Sequence, residues 1–262
     1  MPAAVREALQ AECATELATA GGEELLAVLG GRSRALDRFL IARNLKVDAA
    51  ALMLRNTLIY RRDKVAKLMP IDPALKRKVA PFWPCSYCIP TVDGQPTMFA
   101  RFGNLNPRKI YAEVSEEEFR TYYMWWMELA LRHQLHCHNR QMLEVHDLNG
   151  LSFSQIYLPA VRLLGRTLKI GQDHYMEGLG RSIIINAPRI FSIAWKILRT
   201  ALNERTRMKT VIVSDDGMSV LEPLFGSREA VELLLSTDVS GDREEKEGVA
   251  WLPPKVKYGP PL

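Results

Sequence analysis

One segment, residues 181–213, constrains the fold more than any other part of the chain. Residues 182–186 form a continuous apolar run that is typical of a strand covered on both faces. After Pro188 the apolar residues take helical spacing over residues 189–202, and residues 210–213 then indicate a second strand. The segment therefore predicts a strand, a crossover helix and a parallel strand.

The predicted crossover helix carries two apolar stripes. One stripe consists of Ile190, Ile193, Ile197 and Ala201. The other consists of Phe191, Trp195, Leu198 and Leu202. A helix that covers a sheet needs only one apolar face, so the second stripe must contact something else. On the residues alone, burial between the sheet and further helices is the favoured interpretation.

Composition limits the classes of protein to consider. The 262 residues suffice for one large domain, or one domain with an extension, and 47% of them are hydrophobic. No apolar run approaches the roughly 18 residues that span a bilayer, and no signal peptide is evident. Four cysteines in this length favour a reducing compartment. We therefore expect a soluble, cytoplasmic protein, and its net charge of +5 favours anionic partners.

The pattern along the chain predicts an α/β fold with three parts. Residues 1–75 read as an N-terminal helical subdomain, and residues 76–226 as the α/β domain. Within the latter, residues 97–102 and 143–148 indicate strands, and capping boxes begin helices at Ser115 and Ser152. Residues 227–262 read as a helix capped by Ser227 and a charged, proline-rich tail.

Six short motifs occur in a fixed order from residue 38 onwards. They are RFLIAR at 38–43, DGQP at 93–96, DLNGLS at 147–152, YMEGLGR at 175–181, INAPRIF at 185–191 and TRMK at 206–209. Together they resemble the CRAL-TRIO lipid-binding family, and most closely its Sec-fourteen-like branch of phosphatidylinositol transfer proteins. The resemblance covers about residues 33–213.

The resemblance implies a mixed sheet that floors a lipid cavity, covered by helices, with a helical N-terminal subdomain. The crossover helix would act as a gate that contacts anionic membranes when it opens. The two stripes would then face acyl chains and bilayer, with the bilayer stripe formed by Phe191, Trp195 and Leu198. Lys196 and Arg199 would meet anionic head groups.

The resemblance also assigns a lipid head-group site to Glu177, Thr206, Lys209 and Arg43. The chemistry suits an inositol phosphate, whose hydroxyls can donate to a carboxylate and whose phosphodiester can accept from a cation and a hydroxyl. From the sequence alone, Glu177 and Lys209 would instead read as an ordinary surface pair.

Several positions depart from the family pattern. Asn44 stands where the family often has a basic residue, and Met176 and Gly178 replace a proline and an arginine. Met142 and Glu144 occupy positions that contact phosphatidylcholine through small hydroxyl residues in the family. A carboxylate there opposes a choline phosphate, which argues against an exchange of two lipids.

Other functional signals in the sequence are weaker. Cys85 and Cys88 have the spacing of a metal knuckle, and together with Cys137 and one nearby histidine they could form a zinc site. We favour structural roles for them and predict no metal. No phosphate-binding glycine loop, catalytic triad or aromatic–basic platform for nucleic acid is evident.

The sequence thus predicts a non-enzymatic monomer that binds one phospholipid, with phosphatidylinositol as the expected ligand, and transfers or presents it between membranes. It would need no cofactor, bind no nucleic acid and work in the cytoplasm as a peripheral membrane protein. An isoprenoid, tocopherol-like or sterol-like ligand in the same cavity is the first alternative. A metal-stabilised regulatory or scaffold module is the second.

Overall fold

The protein, described by a computed structural model over residues 1–68, 70–138 and 140–239, is built around a five-stranded sheet. The strands are β1 (Cys85–Cys88), β2 (Thr97–Arg101), β3 (Met142–Asp147), β4 (Leu179–Ile185) and β5 (Thr210–Ile212). The helices are α1 (Ala3–Glu12), α2 (Ala14–Leu17), α3 (Ala20–Val28), α4 (Arg32–Ala42), α5 (Val47–Asp63), α6 (Pro73–Val79), α7 (Pro107–Glu113), α8 (Glu116–His136), α9 (Leu158–His174), α10 (Phe191–Ala201), α11 (Glu204–Met208), α12 (Met218–Phe225) and α13 (Arg228–Leu235). Short 3-10 turns lie at Val65–Lys67, Ala80–Phe82 and Phe153–Gln155.

The strands lie side by side in chain order. β1 is antiparallel to β2, and β2 to β5 are parallel to one another. Helices α7 and α8 connect β2 to β3, α9 connects β3 to β4, and α10 with α11 connects β4 to β5. Crossover connections between parallel strands are almost always right-handed. When each new strand is added on the same side of the previous one, the connecting helices therefore lie on one face of the sheet. Side chains of α8, α9 and α10 accordingly line one space on a single face of the sheet.

Alternation along the strands separates the two faces of the sheet. In β3, Leu143 and Val145 pack with Leu221 of α12 and Val231 of α13 on one face. The residues between them project to the opposite face, beneath α8, α9 and α10, because successive strand side chains alternate. The sheet is thus the middle layer of three, and α13 packs on the face opposite α8, α9 and α10.

The N-terminal helices have a core of their own. Phe39 and Leu40 of α4 pack with Leu54 of α5 in a buried cluster. Leu131 of α8 and Met176, just after α9, join the same cluster, so the N-terminal helices pack directly against the α/β part. The division at residue 75 stays a prediction.

The structure confirms the α/β class and the four strands that the sequence predicted. The predicted strand–helix–strand unit is present, with β4 and β5 parallel. The sequence prediction did not include β1, which lies in a stretch rich in proline. β1 has only four residues between Pro84 and Pro90, and an edge strand tolerates prolines at its ends.

One predicted helix start was wrong, and one short helix was missed. The Ser152–Gln155 capping box is present, but it begins a 3-10 turn, and α9 begins at Leu158 with Pro159 in its first turn. The crossover helix α10 ends at Ala201, next to the predicted end at residue 202. The sequence did not predict the separate helix α11, which the Asn203 side chain caps. The charged, proline-rich tail lies outside the described residues.

Candidate functional site

A large cavity separates the sheet from the helices of its crossover face. Its volume is about 370 Å³, and most of its lining is apolar, with Met98 from the floor, Trp126 from α8 and Leu164 from α9. This volume falls in the range of ligand pockets. Phe191, Ala194, Trp195, Leu198 and Leu202, from α10 and its C-cap, complete the wall. A ligand with an apolar body therefore finds a suitable site here.

Glu177 lies at the cavity, in the connection between α9 and β4. The residue adopts a left-handed conformation (φ 53°). The carbonyl of the next residue, Gly178, accepts two hydrogen bonds, one from the Met142 N–H at 2.7 Å and one from the Gln134 side-chain amide at 2.8 Å. The backbone thus fixes the direction of the Glu177 side chain, which is only 11% exposed.

Three donors hold the Glu177 carboxylate. The Lys209 ammonium donates to Oε2 at 3.1 Å, and Arg205 Nε donates to Oε1 at 3.1 Å. The Gln141 amide donates to Oε2, also at 3.1 Å. Burial raises the pKa of Glu177, but the charge and hydrogen bond of Lys209, assisted by Arg205, outweigh burial, and the net pKa lies below its ordinary value. Glu177 is therefore ionised at neutral pH.

Helix α11 presents the cationic side of this site. The Asn203 side chain accepts the Thr206 N–H at 2.8 Å and so caps the helix. Arg205, Thr206 and Lys209 then all line the cavity. Lys209 uses two of its three N–H groups on Glu177 and on the Leu179 carbonyl (2.7 Å). Its third N–H has no partner among the described residues.

Arg43 completes this group from the N-terminal helices. It is the C-cap residue of α4, lines the cavity and is half-buried. Its Nη1 donates to the Ala42 carbonyl at 3.0 Å, the one hydrogen bond of its guanidinium within the described part of the chain. Most of its five N–H donors are thus available to a ligand.

The structure therefore brings all four predicted head-group residues to one cavity. We call these four residues, together with Arg205, the polar cluster. It contains three cations and one carboxylate, so it carries a surplus of positive charge. The sequence prediction missed Arg205 and Gln141. Arg205 is four residues before Lys209, a spacing that places both on one helix face, whereas nothing local to Gln141 signals its contact.

The gate residues are placed differently from the prediction. Phe191, Trp195 and Leu198, predicted to face the bilayer, line the cavity instead. The second stripe does not form an exposed apolar face either, since Ile190 and Ile197 are half-buried and only Ile193, at 38%, is exposed. Contact of α10 with a membrane stays a prediction.

The cations of α10 lie on its outer side. Lys196 and Arg199 are both exposed, and they flank Ile193 on the surface away from the cavity. Their predicted contact with anionic head groups stays a prediction. No helix among the described residues is long and apolar enough to span a bilayer.

The cysteine–histidine site lacks the necessary geometry. Cys85 packs in the core on one face of the sheet, whereas Cys88 packs against the cluster on the other face. His133 stacks on Tyr87 with ring centroids 3.9 Å apart, and burial lowers its pKa to about 4. No group of three or more potential metal ligands occurs among the described residues. The i,i+3 spacing of the two cysteines places them on opposite faces of a strand.

Comparison with known proteins gives a consistent result. Residues 83–228 match the sequence model of the CRAL/TRIO domain. The SEC14 cytosolic factor of Eremothecium gossypii is 29% identical over 246 residues, which cover 88% of this chain and 79% of that protein. The protein real-time of Anopheles gambiae is 28% identical over 180 residues, 66% of this chain, and the match spans only 26% of its length.

A solved structure supports the fold independently. The crystal structure of Sfh5 superimposes with a TM-score of 0.66 at 15% identity. The match covers 92% of this chain and 91% of the Sfh5 chain. At this identity the similarity concerns the fold alone.

Proposed function

Because this chain belongs to the CRAL/TRIO domain family of lipid-binding proteins, we propose that it binds one phospholipid, phosphatidylinositol, and transfers or presents it between membranes. The protein would act without catalysis or cofactor, as a cytoplasmic monomer that contacts membranes peripherally. One observation carries the proposal: the polar cluster lies at the wall of a large apolar cavity.

The charges of the polar cluster favour an anionic head group. Arg43, Arg205 and Lys209 outnumber Glu177 by two charges, and a phosphodiester brings one negative charge into this region. In a partly buried site, charge-assisted hydrogen bonds are about twice as strong as neutral ones. The unpartnered donors of Arg43 and Lys209 therefore provide a binding site for the phosphate.

Glu177 gives the site a preference among anionic lipids. A carboxylate accepts hydrogen bonds and donates none, so it suits the hydroxyls of an inositol ring. A simple phosphatidic acid has no such donors. A sterol or isoprenoid, the first alternative ligand, would use the apolar wall but would have no use for three cations.

The outer surface near the gate suits contact with an anionic bilayer. Ile193 is exposed there beside Lys196 and Arg199, and Met208 of α11 is 79% exposed beside Arg207. Apolar side chains flanked by cations are the usual composition of an interfacial contact. We therefore assign the membrane contact to Ile193 and Met208 instead of Phe191 and Trp195.

Native mass spectrometry of the purified protein tests the ligand directly, and co-purified phosphatidylinositol is the expected result. A transfer assay then tests the site. Losing one charge-assisted hydrogen bond removes roughly 1.5–3 kcal/mol, so Lys209→Ala and Glu177→Gln should each weaken phosphatidylinositol binding about 10- to 150-fold. Lys169→Ala, an exposed lysine paired with Asp173 on α9, is the matched control and should transfer normally.

The proposal fails if both variants carry phosphatidylinositol as well as the parent. A neutral hydrophobe as the only co-purified ligand would support the first alternative instead. One zinc ion per chain in elemental analysis would support the metal-stabilised module.

A further inference from the structure

Two ionisable residues lie on the cavity floor, apart from the polar cluster. Glu144 and His146 are two residues apart in β3, so both project to the cavity face. We call them the floor pair. Glu144 Oε2 lies 3.4 Å from His146 Nε2, with side chains 30% and 18% exposed. This separation exceeds the 2.7–2.9 Å of a tight charge-assisted bond, so the pair is only loosely closed.

The surroundings leave the floor pair incompletely satisfied. The His146 ring stacks on Phe102, with centroids 5.7 Å apart, and its Nδ1 is buried without a hydrogen-bond partner among the described residues. Met98 and Ser182 flank Glu144 in the same row of the sheet. Buried polar atoms normally have partners, so Nδ1 is an unsatisfied atom of the floor pair, while the partly exposed Glu144 carboxylate is open to a ligand in the cavity.

The floor pair is separated from the cations of the cavity. Besides the floor pair, the charged residues that line the cavity are Glu177, Arg43, Arg205 and Lys209, all in the polar cluster. Thr210, the residue after Lys209, lies in the same row as Glu144 but two strands away, which is about 10 Å. Glu144 therefore makes the local field on the floor negative, opposite to the field at the polar cluster.

We infer that the floor pair is a second polar binding site, which recognises a hydroxyl or amine group carried on an apolar ligand. A hydroxyl can donate to the Glu144 carboxylate and accept from an imidazole N–H, and an amine can donate to the carboxylate. An anionic group meets the Glu144 charge at short range in a poorly solvated cavity and is disfavoured. The inference rests on the proposed function, because it requires that lipids enter this cavity.

The cavity thus selects ligands by charge at two places. Its polar cluster accepts an anion, and its floor accepts a neutral or cationic hydrogen-bond donor. A lipid with a phosphate near the polar cluster and a free hydroxyl that reaches the floor pair would satisfy both. A ligand with an amine would bind in the opposite sense, with its polar end at the floor.

Binding of three amphiphiles with one chain length tests this inference. Dodecylamine, dodecanol and dodecanoate are titrated calorimetrically into lipid-free protein at pH 8, below their aggregation concentrations. Glu144→Gln should weaken dodecylamine about tenfold, the effect of one charge-assisted hydrogen bond, and leave dodecanoate unchanged. Lys209→Ala should do the reverse. His146→Phe should weaken dodecanol, and Glu232→Gln, an exposed carboxylate on α13, should change nothing.

The outcomes separate this inference from the proposed function. If the parent and Glu144→Gln bind dodecylamine equally, or if Glu144→Gln weakens all three ligands alike, the floor pair is not a recognition site, although lipids still enter the cavity. If the parent binds none of the three, the cavity does not accept lipids and both proposals fall. Thermal unfolding of each lipid-free variant verifies that it is folded.

Discussion

A buried ion pair joins the N-terminal helices to the α/β part, and its loss should destabilise the protein strongly. Arg61 of α5 donates to both carboxylate oxygens of Glu128 in α8, at 2.8 and 3.2 Å. The side chains are 10% and 8% exposed. The Tyr175 hydroxyl donates to the same carboxylate at 2.8 Å, two residues before Glu177. Glu128 therefore links α5 to α8 and to the segment that carries Glu177.

Glu128→Ala would leave the Arg61 guanidinium buried without its main partner. Removing one member of a buried pair destabilises a protein by about 3–5 kcal/mol. Arg61 also contacts Glu24 at 3.5 Å, but the Glu24 side chain is 67% exposed. This second contact therefore offsets less than about 1 kcal/mol of the lost stability. At roughly 2–4 °C per kcal/mol, the midpoint of thermal unfolding should fall by about 6–20 °C.

Equilibrium unfolding of the lipid-free protein in urea measures this change. Glu232→Ala is the matched control, because its pair with Arg228 is exposed on both sides and should contribute less than about 1 kcal/mol. Replacing both partners, Arg61→Met with Glu128→Leu, should recover most of the loss, since no charge then remains buried. A loss below about 1 kcal/mol for Glu128→Ala would refute the assignment of the pair as a structural link.

Further predictions concern the gate and the dependence of stability on pH. Trp195→Glu places a charge in the apolar wall and should abolish lipid loading in native mass spectrometry. Ile193→Glu should lower anionic-vesicle binding several-fold in a sedimentation assay without changing loading, and the exposed Leu233→Glu on α13 should change neither. The pKa of Glu177 is lowered from 4.5, so its contribution to stability is present above that value and is lost as pH falls through the lower folded value. Urea unfolding should therefore show a shallower loss below about pH 5 for Glu177→Gln than for the parent. Burial lowers the pKa of His133 from 6.5 to about 4. The free energy of unfolding should therefore decline as pH falls from 6.5 to about 4, and His133→Phe should flatten this decline.

The sequence predicted the elements that carry a strong local period. The capping box at Ser115 and the aromatic face after it fixed the start of α8, and the apolar run before Asn186 identified β4. The sequence analysis did not predict β1, because a strand of four residues between prolines is too short to show a hydrophobic period. Its formation depends on pairing with β2, an interaction that local sequence does not encode.

The polar cluster was predictable only in part. Glu177, Lys209, Thr206 and Arg43 were found through the family resemblance, since their local spacing indicates no common site. Three segments far apart in the chain converge there, and only the tertiary fold shows it. The proximity of Glu144 to His146, by contrast, follows from their i,i+2 spacing in a predicted strand, whereas the cavity above them is visible only in the tertiary fold.

The orientation of α10 shows what periodicity determines and what it leaves open. Periodicity gives the spacing of the stripes, but rotation of the helix about its axis depends on its neighbour. Here α10 approaches α9 closely at one point, since a Cβ on Gly165 of α9 would lie 3.3 Å from Ala201 Cβ. Ala194 is seven residues before Ala201 and so lies on the same side, buried toward the cavity. Trp195 and Leu198 line the cavity, and Ile193 is exposed to solvent. The small residues therefore mark the side of α10 that packs toward α9 and the cavity.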